Sequence, residues 1–267
     1  MLNNITMGQY YPVDSPVHRL DPRMKLVLTI VFIVTVFMAK TFVGYLLLFA
    51  FIFLVSRMAN IPFRMLLKGL RPLRFILLLT FLLNLLFTPG DTVWLSFWII
   101  RITKESVLQA AFYSLRLVFL VLGTSLLTLT TSPVSLADAI EVLLSPLKKI
   151  RFPAHELAMM MTIALRFIPT LLEETDKIMK AQMARGADFE SGNLLSRAKA
   201  MVPLLVPLFV SAFRRASDLA MAMESRCYHG GEGRTRLRVL KLSRDDGIAC
   251  AVMALLLALI IAERTLL

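Results

Sequence analysis

Cysteine and histidine are scarce in this sequence, with two cysteines and three histidines among 267 residues. Cys227 and Cys250 lie far apart in different contexts, which excludes a disulfide framework and a CxxC metal site. His155-Glu156 begins like the helix of a zinc protease, but Met159 stands where the second histidine ligand is required. The sequence therefore predicts no metal site and no catalytic residue.

Phosphate-binding and secretion signals are also missing. The glycine-rich stretch Gly230-Gly231-Glu232-Gly233-Arg234-Thr235 lacks the Gly-Lys-Ser/Thr ending that cradles phosphate and magnesium, so it is more typical of a turn. The polar residues 1–14 lack the basic region and apolar core of a cleaved signal peptide. We therefore expect no ATP site and no other cofactor, and insertion driven by the helices of the mature chain.

Acidic residues are few, 18 against 30 lysines and arginines, whereas apolar residues make up 57% of the chain and its mean hydropathy is +0.72. A soluble domain has about 45–50% apolar residues. The composition therefore indicates an integral membrane protein in contact with lipid. No basic module interleaved with aromatic residues appears, so the net charge of +12 indicates membrane topology and not nucleic-acid binding.

Apolar runs predict an all-α membrane protein with about five transmembrane helices and one inserted module. The run 26–55 is too long for one span, so two short helices are expected to meet near residues 39–41, and Asp21 before Pro22 is a strong helix start. Residues 92–104 are expected to form a short interfacial excursion with an aromatic belt. The predicted parts are an N-terminal membrane domain (1–131) with spans near 22–39, 41–57, 72–88 and 106–130, a helical module (132–246), and a last span (247–267).

Positive charge is distributed very unevenly between the predicted loops. All but five of the 30 lysines and arginines fall on one side, and the segment 57–74 carries five of them without an acid. Such loops remain in the cytoplasm. The sequence therefore predicts that the N-terminus and the module 132–246 are cytoplasmic and that the C-terminus is external.

The central module is expected to contain two long helices, one ending near Gly186 and one running from about Asn193 to Arg226. Pro169 in the first, and Pro203 and Pro207 in the second, are expected to kink them. The apolar run 201–213 is short and contains two prolines, which favours an interfacial helix over a sixth span.

Two helix ends in this module match each other, each with an arginine between small residues: Ala184-Arg185-Gly186 and Ser225-Arg226-Cys227. An apolar residue lies seven positions before each arginine and an alanine four positions before, which is one helical face. A single arginine at a helix C-terminus is explained by its own last carbonyls and the helix dipole. A matched pair indicates instead two helix ends that enter grooves on other proteins, where a guanidinium can hold a carboxylate.

Asn84 and Arg116 are the most unusual polar side chains within the predicted spans. Intramembrane polar residues usually face a bundle interior or a water-filled path. We favour a structural hydrogen bond to a neighbouring helix over a role in transport.

At these residues the chain resembles the transmembrane T component of energy-coupling factor transporters, the family that also includes the cobalt-transport permease Q. The resemblance covers essentially the whole chain. It rests on the opening Ser15-Pro16-Val17-His18-Arg19-Leu20-Asp21-Pro22-Arg23-Met24-Lys25, on Ala184-Arg185-Gly186, and on the second arginine motif with its glycine-rich continuation. The family has Ala-Arg-Gly twice. Here the second motif ends in Cys227, which adopts positive φ less readily than glycine.

The resemblance implies a non-catalytic coupling subunit of an ATP-binding cassette (ABC) importer. It implies two cytoplasmic ABC ATPases as partners, a heterodimer or a homodimer that binds the ATP, and a membrane S component that captures a vitamin or metal ion. It also implies that the two arginine motifs lie at the ends of crossing coupling helices, with one docking on each ATPase. A membrane-embedded enzyme and a self-contained permease are the alternatives, which the scarcity of clustered acids and of polar residues in the spans disfavours.

Overall fold

The computed structural model describes residues 10–89, 93–97, 100–150, 152–189, 193–230 and 240–266. The chain divides into two compact units, a membrane unit of Gly8–Ala139 with Val239–Leu267, and a central unit of Ile140–Arg238. In chain order the elements are α1 (Pro16–Arg19), α2 (Pro22–Met38), α3 (Phe42–Met58), α4 (Phe63–Lys68), α5 (Arg74–Phe87), β1 (Val93–Phe97), β2 (Ile100–Thr103), α6 (Lys104–Thr130), α7 (Pro133–Leu144), α8 (Ala154–Ala184), α9 (Leu194–Glu224) and α10 (Arg244–Leu266). The predicted all-α membrane fold is confirmed, apart from the small hairpin.

The segment predicted as an interfacial excursion contains a β-hairpin, and its position at the membrane interface stays a prediction. Strands β1 and β2 pair antiparallel, with Phe97 opposite Ile100 and an irregularity between Val93 and Leu95. Aromatic and β-branched residues fill both strands, which explains why an extended pair forms here and not a helix. Trp98, part of the predicted aromatic belt, lies outside the described residues, as do residues 231–235 of the glycine-rich stretch.

The break expected near residues 39–41 is present, and each adjoining helix has its own start signal. Asp21 caps α2 by accepting a hydrogen bond from the Arg23 N–H, with Pro22 at the first helical position. Thr41 caps α3 by accepting from the Gly44 N–H at 3.4 Å. Each of these helices has 17 residues. At about 1.5 Å per residue each is somewhat shorter than the hydrocarbon core of a bilayer.

Helix α6 is central to the membrane unit, because it packs against α2, α3 and α5. The core between these helices and α10 includes Phe32, Leu48, Phe119 and Ile260. Gly123 permits the close approach of α6 to α2, since a Cβ atom there would lie 2.4 Å from Cε1 of Phe32.

Helix α10 carries a carboxylate near each end that bonds a backbone N–H from the first part of the chain. Asp246 Oδ1 accepts from the Asp21 N–H at 2.8 Å. Glu263 Oε1 accepts from the Gly44 N–H at 2.8 Å, near the start of α3. The last helix is therefore fixed at both ends to the first two long helices.

Four helical stretches of the described chain are long and apolar enough to cross a membrane, namely Phe63–Phe87, Lys104–Thr130, Ala154–Ala184 and Arg244–Thr265. The first joins α4 and α5 through a short 3-10 turn at Arg71–Leu73. The third is α8, whose most apolar window has the lowest mean hydropathy of the four, 1.2. Five charged residues lie after Pro169 in α8, so only its first half is apolar. The cytoplasmic position of α8 stays a prediction.

Helices α8 and α9 form the central unit and pack against each other. Each contains 31 residues and continues past its internal prolines. Arg215 on α9 donates to Glu174 on α8 at 2.9 Å, and both side chains are partly exposed. This ion pair joins the later parts of the two helices and supports their packing.

Candidate functional site

The first arginine motif forms the C-terminal turn of α8. The Gly186 N–H donates to the Met183 carbonyl and the Ala187 N–H to the Gln182 carbonyl, both at 3.0 Å. These two bonds define a Schellman motif, in which the residue after the helix cap is left-handed. Gly186 has φ +88°, so this turn needs its glycine, and Arg185 is the cap residue. The predicted stop at Gly186 is confirmed.

The second motif has the same hydrogen bonds at the end of α9. The Cys227 N–H donates to the Glu224 carbonyl at 2.8 Å, and the Tyr228 N–H donates to the Met223 carbonyl at 3.0 Å. Cys227 is left-handed with φ +56°, although it is not glycine. Holding a residue with a Cβ atom in this region costs about 1–2 kcal/mol. The replacement of the family's glycine by Cys227 therefore leaves the geometry of the turn unchanged but lowers its stability.

Arg185 and Arg226 occupy equivalent positions in these two turns, each one residue before the left-handed residue. Both arginines are exposed, as are Ala184 and Ser225 before them. Within the described part of the chain, neither guanidinium forms a hydrogen bond or an ion pair, including to the carbonyls of its own helix. Each helix end thus presents an unpaired planar cation beside small residues, an arrangement suited to bidentate binding of a carboxylate.

The polar residues of the spans lie elsewhere, in the membrane unit. Arg116 Nη2 donates to the Ala39 carbonyl at the end of α2, at 3.4 Å, and its guanidinium lies 5.5 Å from the ring centroids of Phe37 and Tyr113. Asn84 instead donates to the Thr80 carbonyl of its own helix at 2.8 Å. The expected bond to a neighbouring helix is therefore found for Arg116 and not for Asn84.

A polar junction at the opening motif was not foreseen from the sequence. Asp246 Oδ2 accepts from the Ser243 N–H at 2.7 Å, while its other oxygen bonds the Asp21 N–H. The Asp21 carboxylate accepts from Nη2 of Arg23 at 2.7 Å, and the same nitrogen donates to the Leu240 carbonyl at 3.1 Å. The junction joins the start of α2 to the start of α10. A serine three residues before Asp246 was the signal for a helix cap, but no pattern indicated the partner 225 residues away.

Lys25 and His18 extend this junction to the end of α6. Buried Lys25 donates through Nζ to the His18 carbonyl at 3.0 Å and to the Thr130 carbonyl at 2.9 Å. His18 contacts the Ser15 hydroxyl through Nδ1 and the Tyr11 carbonyl through Nε2. Burial, reinforced by the Lys25 charge, holds the pKa of His18 below its ordinary value, although the Tyr11 carbonyl acts in the opposite direction. A neutral imidazole satisfies both of its contacts.

Asp21 is held as a carboxylate by the same junction. Burial alone would raise its pKa, but hydrogen bonds from Arg23 and the positive charges of Arg23 and Lys25 together bring the pKa below its ordinary value. The charged state of the capping carboxylate at Asp21 therefore depends on the two cations that follow it in the chain.

His155, the first residue of the rejected zinc motif, bonds Glu141 at 2.9 Å. In the described ranges, no group of three or more His, Cys, Asp or Glu side chains is arranged to hold a metal ion.

Comparison with known proteins places these features in a family. Residues 14–237 match the family described as cobalt transport protein, CbiQ. The chain is 53% identical to the energy-coupling factor transporter transmembrane protein EcfT of Clostridium kluyveri over 265 residues, which cover 99% of this chain and 98% of the relative. It is 56% identical to the protein of that name from Thermosediminibacter oceani, covering 96% of each chain, and 50% identical to that of Bacillus subtilis, covering 97% and 98%. These matches, which extend over nearly all of the chain, show that it belongs to the cobalt transport protein family, among the transmembrane components of energy-coupling factor transporters.

Proposed function

We propose that the chain is the coupling subunit of an ATP-driven importer. It transmits the motion of two cytoplasmic ABC ATPases to a membrane S component that captures a vitamin or a metal ion. The observation that supports this proposal most directly is the pair of equivalent Schellman turns, each with an exposed and unpaired arginine within the described residues. Two equivalent helix ends fit two related grooves, as a homodimer or heterodimer of ATPases would offer.

The arrangement supports a mechanical and non-catalytic role. Helices α8 and α9 pack against each other and are joined by the ion pair between Glu174 and Arg215. A displacement imposed on one arginine-bearing end is therefore passed to the other helix. ATP hydrolysis is assigned to the partner subunits.

Lipid is the remaining partner, and α9 carries the surface that would contact it. Exposed apolar side chains on this helix include Val206, Phe209, Val210 and Phe213. An apolar surface of this kind is costly in water and is typical of an interfacial helix. We therefore assign residues 201–213 to the membrane interface, where an apolar partner helix can also contact them.

Co-purification of the full-length chain from native membranes tests the proposed function. We expect two ATPase polypeptides, or one in two copies, together with one small membrane protein, each identified by peptide mass spectrometry. Recovery of the chain in a transport-competent membrane without any ATPase would contradict the proposal.

The proposed orientation has the N-terminus and the central unit in the cytoplasm and the C-terminus outside. The junction at Asp246 brings the starts of α2 and α10 and the end of α6 to one end of the membrane unit, while Glu263 and Gly44 meet at the other end. In this arrangement α2 and α10 run from the first end to the second and α6 runs back. Together with the concentration of basic residues on one side, it supports the proposed orientation.

Cysteine labelling measures this orientation. In a background of Cys227→Gly and Cys250→Ala, we expect a membrane-impermeant maleimide to label Lys40→Cys in intact cells. The matched Arg64→Cys variant should be labelled only in inside-out vesicles, because Arg64 is exposed in the basic segment 57–74. Labelling of Arg64→Cys in intact cells would contradict this orientation.

A further inference from the structure

The membrane unit contains an apolar cleft of about 260 Å³. Helices α2 and α6 contribute Leu28, Phe32 and Leu126. Val17 of α1 and Leu20 directly after it also line the cleft. Residues from α3 and α10 complete the lining, among them Leu54, Met58, Ile248 and Val252. These four side chains are also exposed, so the cleft opens to the surface beside α3 and α10.

The polar groups that line the floor are already bonded within the chain. Lys25 Nζ donates to the His18 and Thr130 carbonyls. The hydroxyls of Thr29 and Thr130 each donate to the carbonyl four residues earlier, both at 2.7 Å. Both hydroxyls and two of the three Lys25 N–H donors are therefore satisfied, and an occupant gains mainly from apolar contact.

Three exposed arginines, the arginine rim, are sequence neighbours of residues that line the cleft. Arg19, Arg57 and Arg244 are exposed, and each is adjacent in the chain to a lining residue. The guanidinium of Arg57 lies 5.5 Å from the ring centroid of Phe53, at the end of α3. Asp245 is the exposed acid among the lining residues, so the four rim groups carry a net positive charge.

We propose that this cleft binds one acyl chain of an anionic phospholipid, whose phosphate lies at the arginine rim. A bilayer surrounds this unit, so the occupant is a lipid that reaches the cleft sideways between α3 and α10. Basic pockets between transmembrane helices select anionic headgroups, and the apolar floor excludes a polar ligand. This proposal is independent of the arginine motifs and of the ATPases.

Native mass spectrometry of the full-length chain tests this proposal in nanodiscs that contain equal amounts of phosphatidylglycerol and phosphatidylcholine. We expect one retained phosphatidylglycerol per chain, favoured over phosphatidylcholine. Arg57→Gln and Arg244→Gln should each reduce that preference by roughly fivefold. Arg74→Gln, at an exposed arginine that is not adjacent to any lining residue, is the matched control and should leave it unchanged.

Filling the cleft tests the acyl-chain contact separately. Val252→Trp should remove the retained lipid, whereas Leu255→Trp should retain it, because Leu255 is exposed on the same helix outside the cleft. Equal retention by both tryptophan variants would overturn the cleft as the site. Equal retention of the two lipids by the unmodified chain would overturn the anionic preference, and this second measurement does not depend on any variant folding correctly.

Discussion

Replacement of both Arg185 and Arg226 by alanine is expected to abolish ATP-driven uptake and to release the ATPases from the membrane. Each arginine is exposed and without a partner within the described residues, so its loss costs the chain itself little. At an interface, however, truncating one member of a desolvated charge pair leaves the other unpaired, which costs about 2–5 kcal/mol. Two such losses exceed what the remaining contacts of a bivalent complex can supply.

Single replacements should separate docking from coupling. Arg185→Ala or Arg226→Ala should reduce uptake strongly, while the other helix end, whose arginine is intact, still holds an ATPase on the membrane. Lysine in place of either arginine should restore only part of the uptake, because a point charge does not reproduce the planar fork. The measurement is uptake into vesicles, alongside the amount of ATPase that remains on the washed membrane.

Two control variants make this result specific. Arg214→Ala removes an exposed arginine from the same helix as Arg226 without altering either turn, and uptake should be unchanged. Cys227→Gly should also preserve uptake, because glycine adopts the left-handed conformation at φ +56° more readily than cysteine. Near-normal uptake in the double alanine variant would leave Arg185 and Arg226 as ordinary helix-cap residues.

Asp246→Ala is expected to lower the thermal stability of the membrane unit more than any other single change in α10. Its buried carboxylate accepts hydrogen bonds from the Asp21 and Ser243 N–H groups. Alanine leaves the buried Asp21 N–H without an acceptor, whereas exposed Ser243 loses one ordinary hydrogen bond, worth about 0.5–1.5 kcal/mol. A buried donor without a partner costs about 1–3 kcal/mol. We therefore expect a total loss of about 2–4 kcal/mol, which corresponds to a Tm lower by roughly 5–15 °C for a unit of this size.

The neighbouring acid provides the control for this prediction. Asp245 is exposed, whereas Asp246 is 2% exposed, so Asp245→Asn should change the Tm by no more than a degree or so, about the effect of a typical surface substitution. Asp246→Asn should lower the Tm by an amount between those of Asp245→Asn and Asp246→Ala. The amide retains one acceptor and places a donor opposite the other N–H. Thermal unfolding of the purified chain in detergent measures all three. Equal shifts for Asp245→Asn and Asp246→Ala would show that the junction does not stabilise the unit.

Features determined by neighbouring residues were predictable from the sequence. Asp21 before Pro22, the break before Thr41 and the stop at Gly186 all depend on short-range capping chemistry, and each is present where the pattern indicated. The hairpin at Val93–Phe97 and Ile100–Thr103 was not predicted, since short apolar strands resemble an interfacial loop in composition. The sequence left the conformation of Cys227 open, because a residue with a Cβ atom disfavours positive φ. The structure shows that the hydrogen bonds of the turn override this preference.

Contacts between distant parts of the chain were not visible in the sequence. Ser243 and Asp246 form a capping box at the start of α10, which depends on neighbouring residues, but the second oxygen of Asp246 bonds the Asp21 N–H from the other end of the chain. For Asn84 the sequence predicted a contact with a different helix that the structure does not show. Its amide was expected to reach another helix and bonds its own, because the Thr80 carbonyl is the nearest acceptor along the helix axis.

The attachment of α10 to α2 and α3 also determines when the membrane unit can be completed during synthesis. The carboxylate that bonds the Asp21 N–H is synthesised 225 residues later, and the one that bonds the Gly44 N–H is synthesised 219 residues later. At about 5–20 residues per second, ribosomes need roughly 10–45 s to reach them. During that interval the first two long helices lack both carboxylate contacts, and the Gly44 N–H has only its bond to the Thr41 hydroxyl. Completion of the last helix thus closes both contacts, so the membrane unit reaches its final form only after nearly the whole chain has been synthesised.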